Sequence, residues 1–531
     1  MRIGILHGWL LTGSGSNIYV QNVAKSLYKQ GHEVHVYCQD HEADKLSFVS
    51  RILFHNQDGE AEETKLRPDG ITVHIPDIGS TLPVFVWDNY PAFESVVEFP
   101  KLSFGKLQNY LLSNVKTIAA GVNDYHLDIL HANHAIMMPS IARDVSERTG
   151  IPYVVALHGS ALAYSVKEDP TLFDYAVKGL DGANAILVGN QYFKSEVLDL
   201  FQKRCIGLSG KIIEVPLGVN TNLFKPINEE CRLESIASFL RVGEGHFKGR
   251  TAEQSHELRL QTYKWIADGK IPKSIFELAK QYPQKSPDAD LSEHIDNIDW
   301  SLPTIVFVGR LILGKGIQDL LLSYFEIVKN IHCQLIIIGN GPIREWLETF
   351  VLFRKHAITT MFEQWLEVAQ DFPDSEIMLE ASKQWIMENK DAFTPSPEAK
   401  VFFTGFLDHK LLRYLLPCAD IAVFPSIVPE SFGLVVLESA SSGVIPLVSD
   451  FSGLRDNALV FEQAIPELNE GDLRFTINPE ERIYSITERL EHFLTSSTFH
   501  LKNPLRETCE RKYSWNAVTT LLTEVYKSVI E

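Results

Sequence analysis

The sequence predicts an α/β protein with two domains, each built around a parallel sheet, and three observations lead there. Short apolar runs alternate with segments of helical periodicity at 3–6, 33–38, 128–131, 152–157, 185–188 and 212–215, and again at 304–308, 334–338, 401–403, 421–424 and 445–448. A charged, helix-rich stretch from about 228 to 300 separates the two series, with Pro/Ser/Asp-rich breaks near 283–290. Its 531 residues, 45% hydrophobic and 22% charged, provide enough apolar surface for more than one core of a soluble protein.

The elements follow in order. Strand 3–6 leads into a Gly/Ser-rich turn, Leu11-Thr-Gly-Ser-Gly-Ser-Asn17. A helix then carries Val20, Val23, Ala24 and Leu27 on one face and stops at Gly31. With 33–38 this is a βαβ start, which calls for parallel pairing. Gly13 and Gly15 hint at a dinucleotide fingerprint, but Ile18 occupies the third glycine position, so NAD binding is not expected. From 41 to about 127 the pattern weakens to loops, one strand at 71–75 and the aromatic stretch Phe85-Val-Trp-Asp-Asn-Tyr90. Trp87, Asp88 and Tyr90 there suit either an acceptor pocket or an ordinary packed loop. Later strands run into His131, His158-Gly-Ser160 and Pro216-Leu-Gly-Val-Asn220. The expected division is a first domain over 1–226, a helical insertion or linker over 227–300, and a second domain over 301–512 with a helical insert at 345–400. The amphipathic helix of 513–531 is expected to pack back on the first domain. The inserts read as oligomer or partner surfaces more than as catalytic parts.

A formal net charge of −19 argues against a nucleic-acid or anionic-membrane surface. The six cysteines are scattered with no C-x-x-C, which favours reduced thiols over a zinc site. No apolar run reaches the length of a membrane span and the chain opens directly on a strand. A cytoplasmic protein without stable membrane insertion is therefore the expectation.

Two loops could carry chemistry. In Phe424-Pro-Ser-Ile-Val-Pro-Glu-Ser-Phe-Gly-Leu-Val-Val-Leu-Glu438 a strand gives way to a helix expected to open at Glu430 and Ser431. Unpaired N–H groups and the positive end of a helix dipole favour an anion there. Glu430 at the mouth and Glu438, expected two turns in, accept hydroxyl groups better than phosphates. A ligand with both phosphates and sugar hydroxyls satisfies both requirements, although on spacing alone a surface helix with two ordinary Glu residues is the better reading. The second loop, Gly309-Arg310-Leu-Ile-Leu-Gly-Lys315-Gly316, combines cations with glycines as a diphosphate requires. Gly316 replaces the Ser/Thr of a Walker A loop, and a solvated basic loop is the competing reading. Asp288-Ala-Asp290 reads as solvated loop rather than a metal-binding pair. His131 and His134 lack an acidic or cysteine partner at ligand spacing, so no metal is expected.

Taken in order, Gly309-Arg-Leu…Lys315-Gly, Ile338-Gly-Asn-Gly-Pro342, Phe403-Thr-Gly-Phe406, Ala419-Asp-Ile-Ala-Val-Phe-Pro-Ser426, Pro429-Glu-Ser-Phe-Gly…Leu-Glu438 and Ser442-Gly-Val-Ile-Pro446 resemble family 4 retaining glycosyltransferases of the GT-B fold. The Glu-x7-Glu pattern of Glu430 and Glu438 is that family's signature. The resemblance covers nearly all of the second domain outside its insert. It extends more loosely to Gly15-Ser-Asn-Ile-Tyr-Val20, Gly31-His-Glu-Val34, His131-Ala-Asn-His134, Leu157-His-Gly-Ser160 and Pro216-Leu-Gly-Val-Asn220. The loop-to-helix start is similar to enzymes that glycosylate inositol phosphate and to sucrose-phosphate synthases.

The resemblance implies two Rossmann-like domains facing across a cleft. It implies that Arg310 and Lys315, in the loop opened by Gly309, bind a donor diphosphate. Glu438 would hold the ribose and Glu430 the donor sugar, while backbone N–H groups of Phe432, Gly433 and Leu434 contact phosphate or sugar. Phe406 would lie near the base, and Gly15 would approach the phosphates. His158 matches the active-site histidine, giving His158, Arg310, Lys315 and Glu430 as the catalytic set. The implied reaction is retaining transfer from a nucleotide-diphosphate sugar, a UDP-sugar first, to a hydroxyl of a small soluble or carbohydrate acceptor. Neither metal nor other cofactor is implied, and a homo-oligomer is compatible with the inserts. Asn220 stands where the family usually has Asp, and Gly189-Asn190 replaces Val-Ser. An epimerase or isomerase of nucleotide sugars and a non-catalytic sensor are the competing readings.

Overall fold

In the computed structural model the chain divides into one unit formed by Met1–Gly218 with Lys512–Glu531 and a second formed by Val219–Arg511. The described residues are all except 14, 58–59, 86–89, 91, 390–394, 397–398 and 497–498, together with the side chains of Ser160 and Phe499. Trp87 and Asp88, named above for an acceptor pocket, lie outside them. The boundary falls at Gly218 because the next stretch is tied to the second unit. The Arg506 guanidinium donates to the Thr221 carbonyl at 2.5 Å and to the Phe224 carbonyl at 2.6 Å.

Among the described residues the first unit holds strands β1 (Arg2–Leu6), β2 (Glu33–Tyr37), β3 (Val49–His55), β4 (Ala61–Lys65), β5 (Ile71–Ile75), β6 (Thr81–Val84), β7 (Ser95–Glu98), β8 (Ile129–Asn133), β9 (Tyr153–Ala156), β10 (Ala185–Val188) and β11 (Ile212–Glu214). Nine of them form one sheet in the order β11-β10-β9-β8-β1-β2-β5-β3-β4, and β6 pairs with β7. Only β3–β4 is antiparallel in the large sheet. Periodicity misses β3 and β4 for a physical reason. Every residue of β4, Ala-Glu-Glu-Thr-Lys, is exposed, as suits a charged edge strand that discourages pairing with another chain. The closing helix Trp515–Ile530 buries Val518, Leu522, Val525 and Tyr526 beside Val20, Val23 and Leu27 of Gly15–Lys29. Trp515 also fills the space over Gly218, where an added Cβ would lie 2.5 Å from its ring.

The second unit's sheet contains β12 (Thr304–Val308), β13 (Gln334–Ile338), β14 (Lys400–Phe403), β15 (Ile421–Phe424), β16 (Ile445–Ser449) and β17 (Arg474–Phe475). Their order is β14-β13-β12-β15-β16-β17, parallel throughout. The 227–300 stretch is built into this unit. Arg232 pairs with Asp420 at 2.6 Å, and Arg250 with Glu348 at 2.7 Å. Arg344, wholly buried, takes Asp288 Oδ1 at 2.8 Å and Asn340 Oδ1 at 2.8 Å. This corrects the reading of Asp288-Ala-Asp290 as solvated loop: Asp288 is 1% exposed, because a guanidinium buried at that depth requires a carboxylate partner. The second insert is also core. Trp346 and Trp365 stack at 3.9 Å, each indole donating to the other's carbonyl at 2.7 and 2.8 Å. Among the described residues no helix is long and apolar enough to cross a membrane.

Candidate active site

In the second unit two loops leave the carboxyl ends of neighbouring strands, where ligands of open α/β sheets bind. After β12 the chain turns through Leu313–Lys315 into the helix Ile317–Ile327. After β15 it passes through 425–433 into the helix Leu434–Ser441. The Gly314 carbonyl laces the loops together, accepting from Ile427 N–H at 2.8 Å, Val428 N–H at 3.2 Å and the Ser426 hydroxyl at 3.3 Å. Gly316 has φ +68°, and a Cβ there would stand 1.9 Å from the Pro425 carbonyl oxygen, so the crossing requires glycine. This lacing brings Lys315 Nζ to 2.6 Å from Glu430 Oε1. Arg310, one residue past Gly309, is exposed and makes no ion pair among the described residues.

The helix does not open at Glu430 and Ser431. Gly433 is its N-cap, at φ +79°, and the first helical residue is Leu434. Glu430 therefore sits in the loop, its N–H donating to Ser452 Oγ at 3.1 Å and its carbonyl accepting Gly453 N–H at 2.9 Å. Asn457 donates to the Phe432 carbonyl. Glu438 consequently lies about one turn into the helix instead of two, closer to the positive end of its dipole. Glu438 is 5% exposed, with Oε1 3.1 Å from His409 Nε2. That hydrogen bond, outweighing burial, raises the His409 pKa above its ordinary value. Sequence reasoning missed His409; its only local signal is Asp408, which caps the helix His409–Leu415. Phe406, past the end of β14, is 39% exposed.

Unit 1 presents different chemistry at its strand ends. His158, just past β9, has Nε2 3.0 Å from Asn133 Oδ1, and Asn133 Nδ2 donates to the Leu6 carbonyl at 3.2 Å. Asn133 thus offers its oxygen, which places the His158 proton on Nε2 and leaves the lone pair on Nδ1. Burial holds His158 down to about 3, His131 to about 3 and His7 to about 4, so all three rings are neutral at pH 7. His7 Nε2 meets Asn17 Oδ1 at 2.9 Å, and His131 Nδ1 meets Tyr526 Oη at 2.5 Å. His134 has φ +71° and two buried ring nitrogens without a hydrogen-bond partner among the described residues. Gly15 opens Gly15–Lys29 with open space where a Cβ would stand. Gly15 and His158 therefore belong to the first unit, and Gly309, Arg310, Lys315, Phe406, Glu430, Phe432, Gly433, Leu434 and Glu438 to the second. No group of three His, Cys, Asp or Glu among the described residues could hold a metal ion.

Solved structures of this architecture span the chain. Sucrose-phosphate synthase from Thermosynechococcus elongatus covers 99% of this chain and 98% of its own at TM-score 0.51 and 16% identity. The catalytic domain of starch synthase IV from Arabidopsis thaliana, bound to ADP and acarbose, covers 100% and 99% at TM-score 0.54 and 13% identity. Anabaena HepE in complex with UDP covers 99% and 100% at TM-score 0.52 and 13% identity. At such identities the likeness defines the fold, which is GT-B. Residues 13–223 match the model described as Glycosyltransferase Family 4, and residues 395–463 match Glycosyl transferases group 1. Over those residues the chain is similar to these glycosyltransferase families. Over 229 residues, 43% of this chain, it is 26% identical to an uncharacterized glycosyltransferase from Methanocaldococcus jannaschii and 28% identical to the sulfoquinovosyl transferase SQD2 from Arabidopsis thaliana. Those matches span 45% and 34% of the relatives' own lengths.

Proposed function

We propose that the protein is a cytoplasmic, metal-independent retaining glycosyltransferase. It moves a hexosyl group from a nucleotide-diphosphate sugar, a UDP-sugar first, to a hydroxyl of a small soluble acceptor. The observation that carries this reading is the 2.6 Å Lys315–Glu430 pair. A cation suited to phosphate and a carboxylate suited to sugar hydroxyls meet at one point, as the junction of a sugar and a diphosphate requires. Donor binding exchanges the pair: the diphosphate takes Lys315 and Arg310, and a sugar hydroxyl donates to Glu430.

During transfer the C1–O bond to the β-phosphate breaks and the leaving phosphate keeps the electron pair. The acceptor oxygen bonds to C1 on the same face, and its proton passes to the leaving phosphate oxygen. Charge grows on that phosphate, so fixed cations and the helix start at Leu434 favour the transition state over the ground state. Neutral His158 contributes a lone pair at Nδ1 that accepts a donor-sugar hydroxyl.

The test is a thermal-shift screen of UDP-, GDP- and ADP-sugars, since a ligand bound to the native state stabilises it in proportion to occupancy. The stabilising donor is then incubated with hexoses, inositol and sugar phosphates while both substrates are followed by NMR. Nucleoside diphosphate and a glycoside of the donor's anomeric configuration are expected. Epimerised donor without transfer, or tight binding without turnover, would instead establish the isomerase or sensor reading.

A further inference from the structure

The insertion before β12 does more than pack on the second unit; it extends the ladder at the ligand-binding edge of the sheet. Asp288 N–H donates to the Thr404 carbonyl at 3.0 Å, and Phe406 N–H to the Ser286 carbonyl at 3.1 Å. Pro287 bridges Gly405 in antiparallel fashion, and the Gly405 carbonyl accepts Gly339 N–H at 2.9 Å. Gly405 has φ +73°, and a Cβ there would lie 2.8 Å from Asp288 Oδ1 and 2.9 Å from the Ser286 carbonyl oxygen. The same segment reaches the cationic loop. Asn340 Nδ2 donates to the Gln284 carbonyl at 3.0 Å, and the Asn340 carbonyl accepts the N–H of Leu311, next to Arg310, at 3.0 Å. Beneath both lies the buried Arg344, fixed to Asp288 and Asn340.

These bonds have a chemical consequence. A nucleoside diphosphate whose phosphates sit on the 309–316 loop must lay its base along the carboxyl edge of the sheet. Phe406 offers an exposed flat ring there, and aromatic rings stack bases of every kind without reading their edges. Hydrogen bonding to Asp288 and Ser286 already occupies the Thr404 carbonyl and the Phe406 N–H. With the Phe406 N–H and one lone pair of the Thr404 carbonyl so committed, shape carries a share of the discrimination, meaning how far the ring stands from the wall beside it.

We propose that residues 284–288 of the insertion are the base-side wall of the donor site and, by fixing the Thr404–Phe406 backbone, set which nucleobase the protein accepts. This rests on the nucleotide-sugar reading above. Residues 284–288 are a positioning element, acting through Phe406 and not on the reacting atoms.

The experiment is calorimetric titration of the full chain with UDP, GDP, ADP and inorganic pyrophosphate, for wild type, Phe406→Ala and Ser286→Ala. Ser286→Ala removes a hydroxyl that accepts from Lys248 N–H at 3.0 Å and donates to the His246 carbonyl at 3.1 Å, while sparing the Asp288–Arg344 pair. It therefore loosens the wall and keeps the fold, which a melting curve checks. Phe406→Ala weakens the preferred nucleotide about 10-fold or more, as expected for loss of one stacked base. Ser286→Ala compresses the ratio between the tightest and weakest nucleotide by about 3- to 10-fold. Pyrophosphate affinity stays within about 2-fold in both variants, since no phosphate contact is touched. Equal weakening of all four ligands, or unchanged ratios between nucleotides, overturns the wall. Wild-type protein that binds pyrophosphate but no nucleotide overturns the nucleotide-sugar reading, and the wall with it.

Discussion

The two units use the carboxyl ends of their strands in opposite ways. Unit 1 gathers neutral rings there: His7, His131, His134 and His158, all held below their ordinary pKa chiefly by burial. Unit 2 gathers charges in pairs, Lys315 with Glu430 and His409 with Glu438, and leaves Arg310 exposed. The difference shows what each environment permits. An imidazole without a carboxylate partner sheds its proton when buried, whereas a carboxylate at hydrogen-bond distance, as Glu438 is to His409, favours the protonated ring. Unit 2 is thus equipped to grip an anion, and unit 1 to offer a lone pair without adding charge.

The sharpest way to break that contrast is His158→Ala. If the ring's hydrogen bond to the donor sugar is stronger in the transition state than in the ground state, turnover falls about 100-fold, as for loss of one preorganised polar contact. Donor Kd should stay within about 3-fold. Steady-state kinetics with calorimetry separate the two, and wild-type kcat in the variant would remove the proposed role. The reciprocal change in unit 2 is Lys315→Ala. It deletes a charge-assisted contact and leaves Glu430 facing the diphosphate unneutralised, so donor Kd rises about 30- to 100-fold. The melting temperature should barely move, because a part-exposed pair adds little to stability.

Acid sharpens the same contrast through stability. The buried rings of unit 1 are unprotonated when folded, yet in the unfolded chain they take up protons near pH 6.5. The unfolded state therefore binds more protons below that pH, and stability falls as pH drops from about 6.5 toward 3 to 4. One ring held at about 3 costs about 2 kcal/mol by pH 5. Denaturant melts at pH 7 and pH 5 should show wild type losing stability, and His158→Gln losing about 1–2 kcal/mol less over that interval. Equal losses in both proteins would mean that the ring is not buried in its neutral form.

Which parts of this contrast could be read from the sequence follows from what sequence patterns record. The cationic loop is legible because its glycines stand where backbones cross: Gly314 accepts from the neighbouring loop, and Gly316 passes under the Pro425 carbonyl. Glu430 and Glu438 stand out only through the Glu-x7-Glu pattern of the resemblance, since their spacing alone suits a surface helix. The helix start was misplaced because Glu430 and Ser431 look like a helix opening. The positive φ at Gly433 defers that opening to Leu434, and no local pattern encodes the packing of Leu454 against Gly433 that fixes it. β4 was invisible because an exposed edge strand carries no apolar alternation. Asp288 was misjudged because its burial depends on Arg344, 56 residues away. Polar Pro/Ser-rich surroundings describe a neighbourhood in sequence and say nothing of a partner brought up in space.

The smallest effect, and the one most specific to unit 2, concerns His409. Its folded pKa is raised by Glu438, so the stabilisation it confers is fully present below about pH 6.5 and fades as pH rises through the raised value. That slope is opposite in sign to the slope from unit 1. The side chain is 45% exposed, so the pair is worth less than about 1 kcal/mol. Its leverage lies in orientation: protonated His409 holds Glu438 Oε1, and on the proposed donor site the other carboxylate oxygen is the one left for ribose hydroxyls. Raising the pH past the His409 transition should weaken nucleoside diphosphate binding by about 2- to 4-fold in wild type. His409→Gln, which keeps a donor but cannot titrate, should flatten that dependence. A wild-type pH slope that survives in His409→Gln would assign the titration to another group and leave Glu438 positioned by its helix alone.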